Sequence, residues 1–131
     1  MVIDTSALTA IMRHEPERDT FVRAIVSTSQ RLISAVTALE AMLVIEGRYG
    51  TEAGGDLELL IHRAGIEIVP FDARQFTAAA NAWRKYGKSN HPAALNLGDC
   101  CVYALAKVTG LPVLAKGADF PKTDIPLAPI E

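Results

Sequence analysis

The fold of this chain is decided by one stretch in its last third, Asn96-Leu97-Gly98-Asp99-Cys100-Cys101-Val102-Tyr103-Ala104-Leu105-Ala106. From Cys100 onwards nearly every side chain in this stretch is apolar. A helix that is hydrophobic on all sides belongs in the interior of a protein. Gly110 is typical of the position just past a helix C-terminus, and Pro112 cannot continue a helix. The sequence therefore predicts a buried helix that ends just before Gly110.

A single carboxylate, that of Asp99, stands in the first turn of this helix. Burying an ionised carboxylate without a partner costs several kcal/mol or changes its protonation state. The free N–H groups and the dipole of the helix N-terminus offset about 0.3–1 kcal/mol of that cost. Two interpretations are open: Asp99 is a first-turn capping acid, or it binds a cation together with other carboxylates. The positions of the other inward-facing acids decide between them.

Composition predicts one compact domain, residues 1–131, with 50% hydrophobic and 21% charged residues. The sequence has no apolar run of about 18 residues and no basic, then apolar, N-terminal signal. We therefore expect a cytoplasmic protein that does not contact a membrane. The net charge of −2 does not by itself indicate nucleic-acid binding. Cys100 and Cys101 lack the further ligands of a zinc site and are predicted to be buried, inert thiols.

Short apolar segments typical of strands alternate with helical patterns along the chain. This alternation predicts an α/β fold with a mostly parallel central sheet and helices on both faces. In such sheets the binding crevice lies beyond the carboxyl ends of the strands. The predicted strands are residues 1–4, 31–35, 66–70 and 111–115, with 127–130 as an edge strand. The predicted helices are 7–12, the segments that begin at Pro16 and Thr37, a helix around 57–61 after a loop at 49–55, and the segments that follow Asp72 and Asn96.

Four acids are placed so that they can converge at one edge of this sheet. Asp4 ends one predicted strand, Glu40 and Asp119 follow two others, and Asp99 opens the helix that leads into the strand before Asp119. Each of the first two has a structural alternative. Asp4 and Ser6 suit the N-cap of the first helix, and Thr37 with Glu40 matches a capping box. Asp72 with Gln75 matches a second capping box, for which we expect no other role. One capping acid is common, whereas four acids converging on one edge of a sheet predict a shared site.

The residue types of this predicted site indicate metal-assisted hydrolysis. Carboxylate oxygens are the ligands that Mg²⁺ and Mn²⁺ prefer, and the chain has no His–Cys set that indicates zinc. One or two such ions polarise a phosphodiester and activate water. The sequence contains no Gly-x-Ser-x-Gly motif for a covalent nucleophile. Gly87-Lys88-Ser89 is not a P-loop, because Ala82 occupies the position of the required earlier glycine and the motif follows a helix.

Several motifs, taken in order, resemble the PIN-domain family, and within it the VapC-type toxin ribonucleases of bacterial toxin–antitoxin pairs. They are Val2-Ile3-Asp4-Thr5-Ser6-Ala7, Glu40, Leu97-Gly98-Asp99-Cys100, Lys116-Gly117-Ala118-Asp119-Phe120 and Thr123-Asp124-Ile125. The likeness covers essentially the whole chain. It implies a three-layer PIN-like fold in a single domain, residues 1–131.

The resemblance also implies roles for individual residues. It matches Asp4, Glu40 and Asp99 to the family's metal-binding and catalytic acids. The fourth acid is placed at Asp119, with Asp124 as the alternative or as a supporting residue. Ser6 resembles the family's small hydroxyl residue that supports the site.

By the same resemblance, the chain is expected to be a Mg²⁺- or Mn²⁺-dependent endoribonuclease toxin. It would hydrolyse RNA with water, leave 5′-phosphate and 3′-hydroxyl ends, and be neutralised by a VapB-type antitoxin. A homodimer and a toxin–antitoxin hetero-oligomer are expected. Two alternatives remain: a catalytically silent PIN-like scaffold, and a receiver-like phosphoacceptor domain with Lys116 in a suggestive place. A receiver, however, would carry adjacent acids after the first strand.

The antitoxin is expected to place an Arg or Lys against Asp4, Glu40 and Asp99, since a guanidinium matches carboxylates in a bidentate way. Apolar contacts are expected to supply most of its affinity, because ion pairs often break even after desolvation. Two helices are predicted as the walls of its groove, with the alternative that their apolar residues simply belong to the core. One carries Phe21, Val22 and Ile25, and the other carries Leu43 and Val44.

Overall fold

The computed structural model describes residues 1–130 and has a four-stranded sheet at its centre. Six α-helices and one 3-10 helix surround the sheet. In chain order the elements are β1 (Val2–Ile3), α1 (Thr5–Met12), α2 (Arg18–Val26), β2 (Leu32–Ser34), α3 (Ala35–Tyr49), α4 (Thr51–Arg63), β3 (Glu67–Val69), α5 (Ala73–Tyr86), α6 (Leu97–Thr109), β4 (Val113–Leu114) and a 3-10 helix (Phe120–Lys122).

All strand pairs in the sheet are parallel, and the order is β3-β2-β1-β4. Successive side chains of a strand point to opposite faces, so the sheet supports two cores. Ile3 and Ile33 belong to the core beneath α1–α4, whereas Val2 and Leu32 belong to the core beneath α5 and α6. This three-layer arrangement confirms the predicted α/β fold with helices on both faces. Within residues 1–130, none of the helices has the length and hydrophobicity that crossing a bilayer requires.

The predicted buried helix is α6. Every residue from Cys100 to Ala106 is at most 6% exposed to solvent. The helix ends at Gly110, whose left-handed conformation (φ +72°) lets its N–H bond to the carbonyl of Ala106. Both thiols are free and buried, as predicted. The capped, apolar helix positions Asp99 at one end of the sheet.

The capping box predicted at Thr37 and Glu40 is wrong. Ser34, the last residue of β2, is the N-cap of α3, and its hydroxyl oxygen accepts from the N–H of Val36 at 3.2 Å. The strand passes into the helix without a connecting residue, so α3 begins two residues before Thr37. Glu40 therefore lies in the second turn of α3, where it has no capping role.

Other predicted boundaries also shift. Helix α2 begins at Arg18, because Pro16 lies in a turn closed by the Arg18 N–H and the Glu15 carbonyl at 2.9 Å. The predicted loop at 49–55 is reduced to Gly50, whose φ of +94° allows α4 to start at Thr51. Asp72 caps α5, but the Gln75 side chain donates to the Pro70 carbonyl at 2.9 Å instead of completing a box.

The predicted edge strand at 127–130 is also wrong. Leu127 forms a single parallel bridge with Val113, and the Ala128 N–H bonds to the Val113 carbonyl at 2.8 Å. Pro126 and Pro129 flank this bridge and have no N–H to donate, so a regular ladder cannot extend.

Candidate metal and catalytic site

Asp4 follows β1 directly and is the N-cap of α1. Its Oδ2 accepts from the backbone N–H of Ser6 at 3.0 Å and from the Ser6 hydroxyl at 2.5 Å. The residue is only 6% exposed. Burial raises the pKa of Asp4, the bonds from Ser6 oppose that rise, and the charge of Glu40 adds to it. Asp4 is thus both a cap and a buried acid that is destabilised by a neighbouring carboxylate.

Ser6 connects two segments that are far apart in sequence. Its hydroxyl donates to Asp4 and accepts from the backbone N–H of Lys116 at 2.8 Å. Lys116 follows β4, and its ammonium group bonds to Glu15 at 2.6 Å and to Glu17 at 3.3 Å. The hydrogen bonds of Ser6 connect the Asp4 carboxylate to the segment after β4. The ion pairs of Lys116 connect the same segment to the residues that follow α1.

Glu40 reaches the same end of the sheet from α3. The Thr5 hydroxyl donates to its Oε1 at 2.5 Å. On its other side the carboxyl group lies against Gly98, in the first turn of α6. Glu40 is half-buried and is placed between α1 and α6.

Asp99 combines the two roles that the sequence left open. It forms a reciprocal capping box with Asn96: the Asp99 N–H donates to Asn96 Oδ1 at 2.9 Å, and the Asn96 N–H donates to Asp99 Oδ2 at 3.1 Å. Burial, together with the charges of Asp4, Asp119 and Glu40, raises the pKa of Asp99 to about 6, and the hydrogen bond from Asn96 opposes this rise. The carboxylate is a cap that also lies within the field of three other acids.

The two candidates for the fourth acid have different surroundings. Asp119 is exposed, precedes the 3-10 helix, and its charge raises the pKa of Asp99. The carboxylate of Asp124 accepts from the Tyr103 hydroxyl at 2.5 Å and from the Lys107 ammonium at 3.1 Å. These bonds hold the pKa of Asp124 below its ordinary value. Asp119 is therefore near enough to Asp99 for its charge to raise the pKa of that residue, whereas the carboxylate of Asp124 is bonded to Tyr103 and Lys107.

Four carboxylates from separate segments thus act on one another by charge. Within residues 1–130, no group of three or more His, Cys, Asp or Glu side chains is arranged as a ready metal-binding cluster. The donors are nonetheless all carboxylate oxygens, which fit a hard cation such as Mg²⁺ or Mn²⁺. Glu40 uses Oε1 and Asp99 uses Oδ2 in the hydrogen bonds above, so Oε2 and Oδ1 remain for a ligand.

Two contributors to this geometry were not identified from the sequence. Thr5 and Gly98 both contact the Glu40 carboxyl group. Each lies beside a predicted acid in the chain, which is the only sequence signal that points to them. Their contacts with Glu40 depend on how α1, α3 and α6 are placed together.

The fold and the acids define a PIN domain, and the model of the family described as "PIN domain" matches residues 1–126. The chain belongs to the PIN-domain family and, within it, to the VapC-type ribonucleases. It is 49% identical over 125 residues to ribonuclease VapC30 of Mycobacterium tuberculosis, with 95% of each chain covered. It is 48% identical to ribonuclease VapC of Mycolicibacterium smegmatis, covering 95% of this chain and 97% of that one.

Solved structures have the same fold at low sequence identity. VapC20 of M. tuberculosis, described as a toxin that cleaves the sarcin–ricin loop, superposes with a TM-score of 0.77 at 16% identity over 95% of each chain. A toxin–antitoxin complex from Klebsiella pneumoniae gives 0.70 at 17% identity over 94% of this chain and 92% of that one. Membership of the PIN family excludes the receiver-like alternative.

Proposed function

We propose that this chain is a divalent-metal-dependent endoribonuclease toxin that hydrolyses RNA with water. The observation that carries the proposal is the position of the Glu40 carboxyl group, which lies between Thr5 and Gly98, the chain neighbours of Asp4 and Asp99. In agreement with this, the charges of Asp4, Glu40 and Asp119 contribute to the raised pKa of Asp99. Carboxylates that repel one another at one end of a parallel sheet favour a multivalent cation as their partner. The names of the relatives, which are ribonucleases, support RNA as the substrate.

Asp4, Glu40, Asp99 and Asp119 are the residues that would hold the ion in this proposal. A bound Mg²⁺ or Mn²⁺ supplies Lewis-acid polarisation of the phosphodiester and lowers the pKa of water. The chain's own residues orient the ligands: Ser6 holds Asp4, and the Asn96 backbone holds one oxygen of Asp99. Hydrolysis is expected to leave 5′-phosphate and 3′-hydroxyl ends, which end-specific RNA sequencing would identify.

Glu40→Gln tests whether the acids act as a catalytic set. Glutamine keeps an oxygen for the Thr5 hydroxyl and suits a helix, but it removes a charge that the cation needs. We expect RNA cleavage in Mg²⁺ to fall by about 10²-fold or more, with an unchanged far-UV CD spectrum. Glu46→Gln, on the same helix, is the matched control and should cleave as wild type does.

Two outcomes would count against the proposal. Wild-type rates from Glu40→Gln would remove Glu40 from the catalytic set. A wild-type protein that cleaves no RNA in Mg²⁺ or Mn²⁺ would indicate a catalytically silent scaffold that keeps the fold and binds a partner. To choose between Mg²⁺ and Mn²⁺, the metal is removed from the protein with a chelator and each ion is then added separately. The ion that supports the faster RNA cleavage is the preferred one.

A VapB-type antitoxin is the proposed protein partner. We propose that it places an Arg or Lys against the acids and lays an apolar segment on α3. Leu39, Leu43 and Val44 of that helix are 59%, 65% and 44% exposed, which supports the α3 wall that the sequence predicted. On α2 the core alternative applies, because Phe21 and Ile25 are buried in the core and Val22 packs against it.

The proposal includes a homodimer that acts in the cytoplasm, where its RNA substrate is found. An apolar groove of about 580 Å³ between α5 and α6 supports a second copy as partner. Its walls include Phe76, Trp83 and Leu97, which are 63%, 45% and 77% exposed. Exposed apolar surfaces of this kind mark interaction sites. Leu97 is two residues from Asp99, so a dimer formed here would bring two acidic sites near each other.

A further inference from the structure

We propose that Thr5 and Gly98 are positioning residues that together fix the carboxylate of Glu40 at the N-terminus of α6. Thr5 does so with a hydrogen bond and Gly98 with the space left by its missing side chain. The inference rests on the proposed function, because it explains how one acid of the metal-binding set is oriented. Neither residue is itself a metal ligand or a catalytic acid.

Thr5 restrains one oxygen of Glu40. Its hydroxyl donates to Oε1 at 2.5 Å and lies 3.5 Å from the Thr37 carbonyl, one turn earlier in α3. Thr5 is the first residue of α1 and directly follows Asp4. Asp4, which follows β1, and Thr5, which donates to Glu40 of α3, are therefore brought to one place by adjacent positions in the chain.

Gly98 restrains the other side of the carboxyl group. A Cβ atom at this position would lie 2.8 Å from the carboxyl carbon of Glu40 and within 3.0 Å of both its oxygens. Real side chains essentially never pack that closely, so any residue with a Cβ would displace the end of Glu40. Gly98 lies inside α6, where glycine is otherwise unfavourable. The close approach of Glu40 accounts for a glycine at this point in a helix.

These two contacts leave Glu40 with one orientation. A glutamate side chain has three rotatable bonds, and ordering it only when a ligand binds would reduce affinity. Oε1 is held by Thr5, so Oε2 faces the first turn of α6, where Asp99 stands. The carboxylate is therefore oriented before the cation arrives.

Gly98→Ala gives a test in which stability and function change in opposite directions. Alanine favours the helix, and the three atoms nearest the added Cβ all belong to the movable end of Glu40. We expect the melting temperature of the metal-free protein to rise. We also expect the Kd for Mn²⁺, measured by titration calorimetry, to rise about tenfold, as for other changes that misorient a ligand. Gly47→Ala, on α3 with no atom within 4 Å of the added Cβ, should raise the melting temperature alone.

Thr5→Val removes the hydroxyl and keeps the shape, and it decides the question if Gly98→Ala does not fold. We expect weaker Mn²⁺ binding and a kcat lowered about tenfold, with little change in the KM for a mixed-sequence RNA oligonucleotide. Thr5→Ser should restore both. Thr9→Val, which removes a hydroxyl bonded only to the Ser6 carbonyl, is the matched control.

The failure of this inference differs from the failure of the proposed function. If wild type binds Mn²⁺ and cleaves RNA, but Gly98→Ala and Thr5→Val behave as wild type, the positioning role is wrong. If Thr5→Val lowers only the melting temperature, Thr5 is merely structural. If wild type itself neither binds Mn²⁺ nor cleaves RNA, the proposed function is wrong.

Discussion

Asp99 has two roles, as a helix cap and as one of a group of mutually repelling acids. Its backbone and Oδ2 complete a capping box with Asn96, and its charge is raised in energy by burial and by three other acids. A cap alone needs no such company, because a first-turn acid is already favoured by the helix N-terminus. The capping box holds the carboxylate in place, and repulsion from the neighbouring acids favours binding of a cation.

Asp99→Asn should separate these roles. The amide oxygen still accepts from the Asn96 N–H, so the fold is kept, but the charge is lost. We expect Mn²⁺ to raise the melting temperature of wild type, because in the proposal it binds only the folded state, and we expect the variant to lose that rise. The metal-free variant should be more stable at pH 7 than wild type, by on the order of 1–2 kcal/mol after allowance for solvent screening of the part-exposed group.

The stability of wild type and that of Asp99→Asn should depend differently on pH, and the raised pKa of Asp99 gives the direction of the difference. The folded pKa of Asp99, about 6, lies above its ordinary value of 3.8, so the folded protein keeps a proton that the unfolded chain has lost. The stability of metal-free wild type should therefore fall as the pH rises from about 4 to 6, and that part of the slope should be missing in Asp99→Asn. Asp72→Asn, at the exposed cap of α5, should change neither the slope nor the Mn²⁺ effect. An undiminished Mn²⁺ effect in Asp99→Asn contradicts a shared site.

The fourth acid is a second question at this scale. Asp119→Asn should weaken Mn²⁺ binding about tenfold, because its charge acts on Asp99. Asp124→Asn should leave Mn²⁺ binding unchanged and lower the free energy of unfolding by about 1 kcal/mol, since it loses bonds to Tyr103 and Lys107. Calorimetric titration and urea unfolding of both variants make the comparison, and the reverse pattern would assign the role to Asp124.

At the scale of elements, α3 has two different faces. One face buries Ala41 and Ile45 in the core and another exposes Leu39 and Leu43, while the half-buried Glu40 lies at the border between them. The predicted capping box failed here because Ser34 ends a strand and caps a helix at once. A pattern of Thr and Glu three residues apart occurs inside helices as well as at their starts, so the sequence could not distinguish the two.

The exposed face of α3 gives a prediction about control. Leu43→Asp should weaken binding of the cognate antitoxin by about 10²-fold while the free toxin still cleaves RNA, because Leu43 is exposed and, although it lies one turn after Glu40 on α3, it is not one of the acids. Val26→Asp, on α2 and 67% exposed, is the control. Inhibition assays measure both, and changing the antitoxin's basic residues to Ala one at a time measures the contribution of charge. Full inhibition of Leu43→Asp would place the antitoxin on another surface.

At the scale of the whole molecule, parallel topology explains why the site exists. The carboxyl ends of β1 and β4 lie side by side, so Asp4 and the segment that carries Lys116 and Asp119 meet there. The apolar groove between α5 and α6 lies next to this end of the sheet. The molecule thus presents a charged site and an apolar surface close together.

The apolar groove between α5 and α6 gives a prediction about the oligomeric state. Trp83→Glu should convert a homodimer to a monomer in sedimentation equilibrium, because a charge would have to be buried in an apolar contact. Leu59→Glu, on α4 and 47% exposed, should leave the dimer intact. Dimers that survive Trp83→Glu would place the interface elsewhere, and a monomeric wild type would contradict the proposal of a dimer.

Features of this protein that depend on local sequence pattern could be predicted without the structure. The apolar run of α6, the glycine at its end and the alternation of strands with helices predicted the layers and the buried helix. Motifs in order brought Asp4, Glu40, Asp99 and Asp119 forward as candidates, with Ser6 beside them. These signals can be read from the sequence because periodicity, capping and strand length depend on residues that are neighbours in the chain.

Contacts between side chains that are far apart in the sequence became known from the three-dimensional structure. The hydroxyl of Thr5 on Glu40, the missing Cβ of Gly98 beneath the same carboxylate, and the Lys116 N–H on Ser6 all join segments dozens of residues apart. So does the pairing of Asp124 with Tyr103, which separates it from Asp119. Such contacts depend on how helices pack on a sheet to within a fraction of an ångström, and no local pattern of residues encodes that distance.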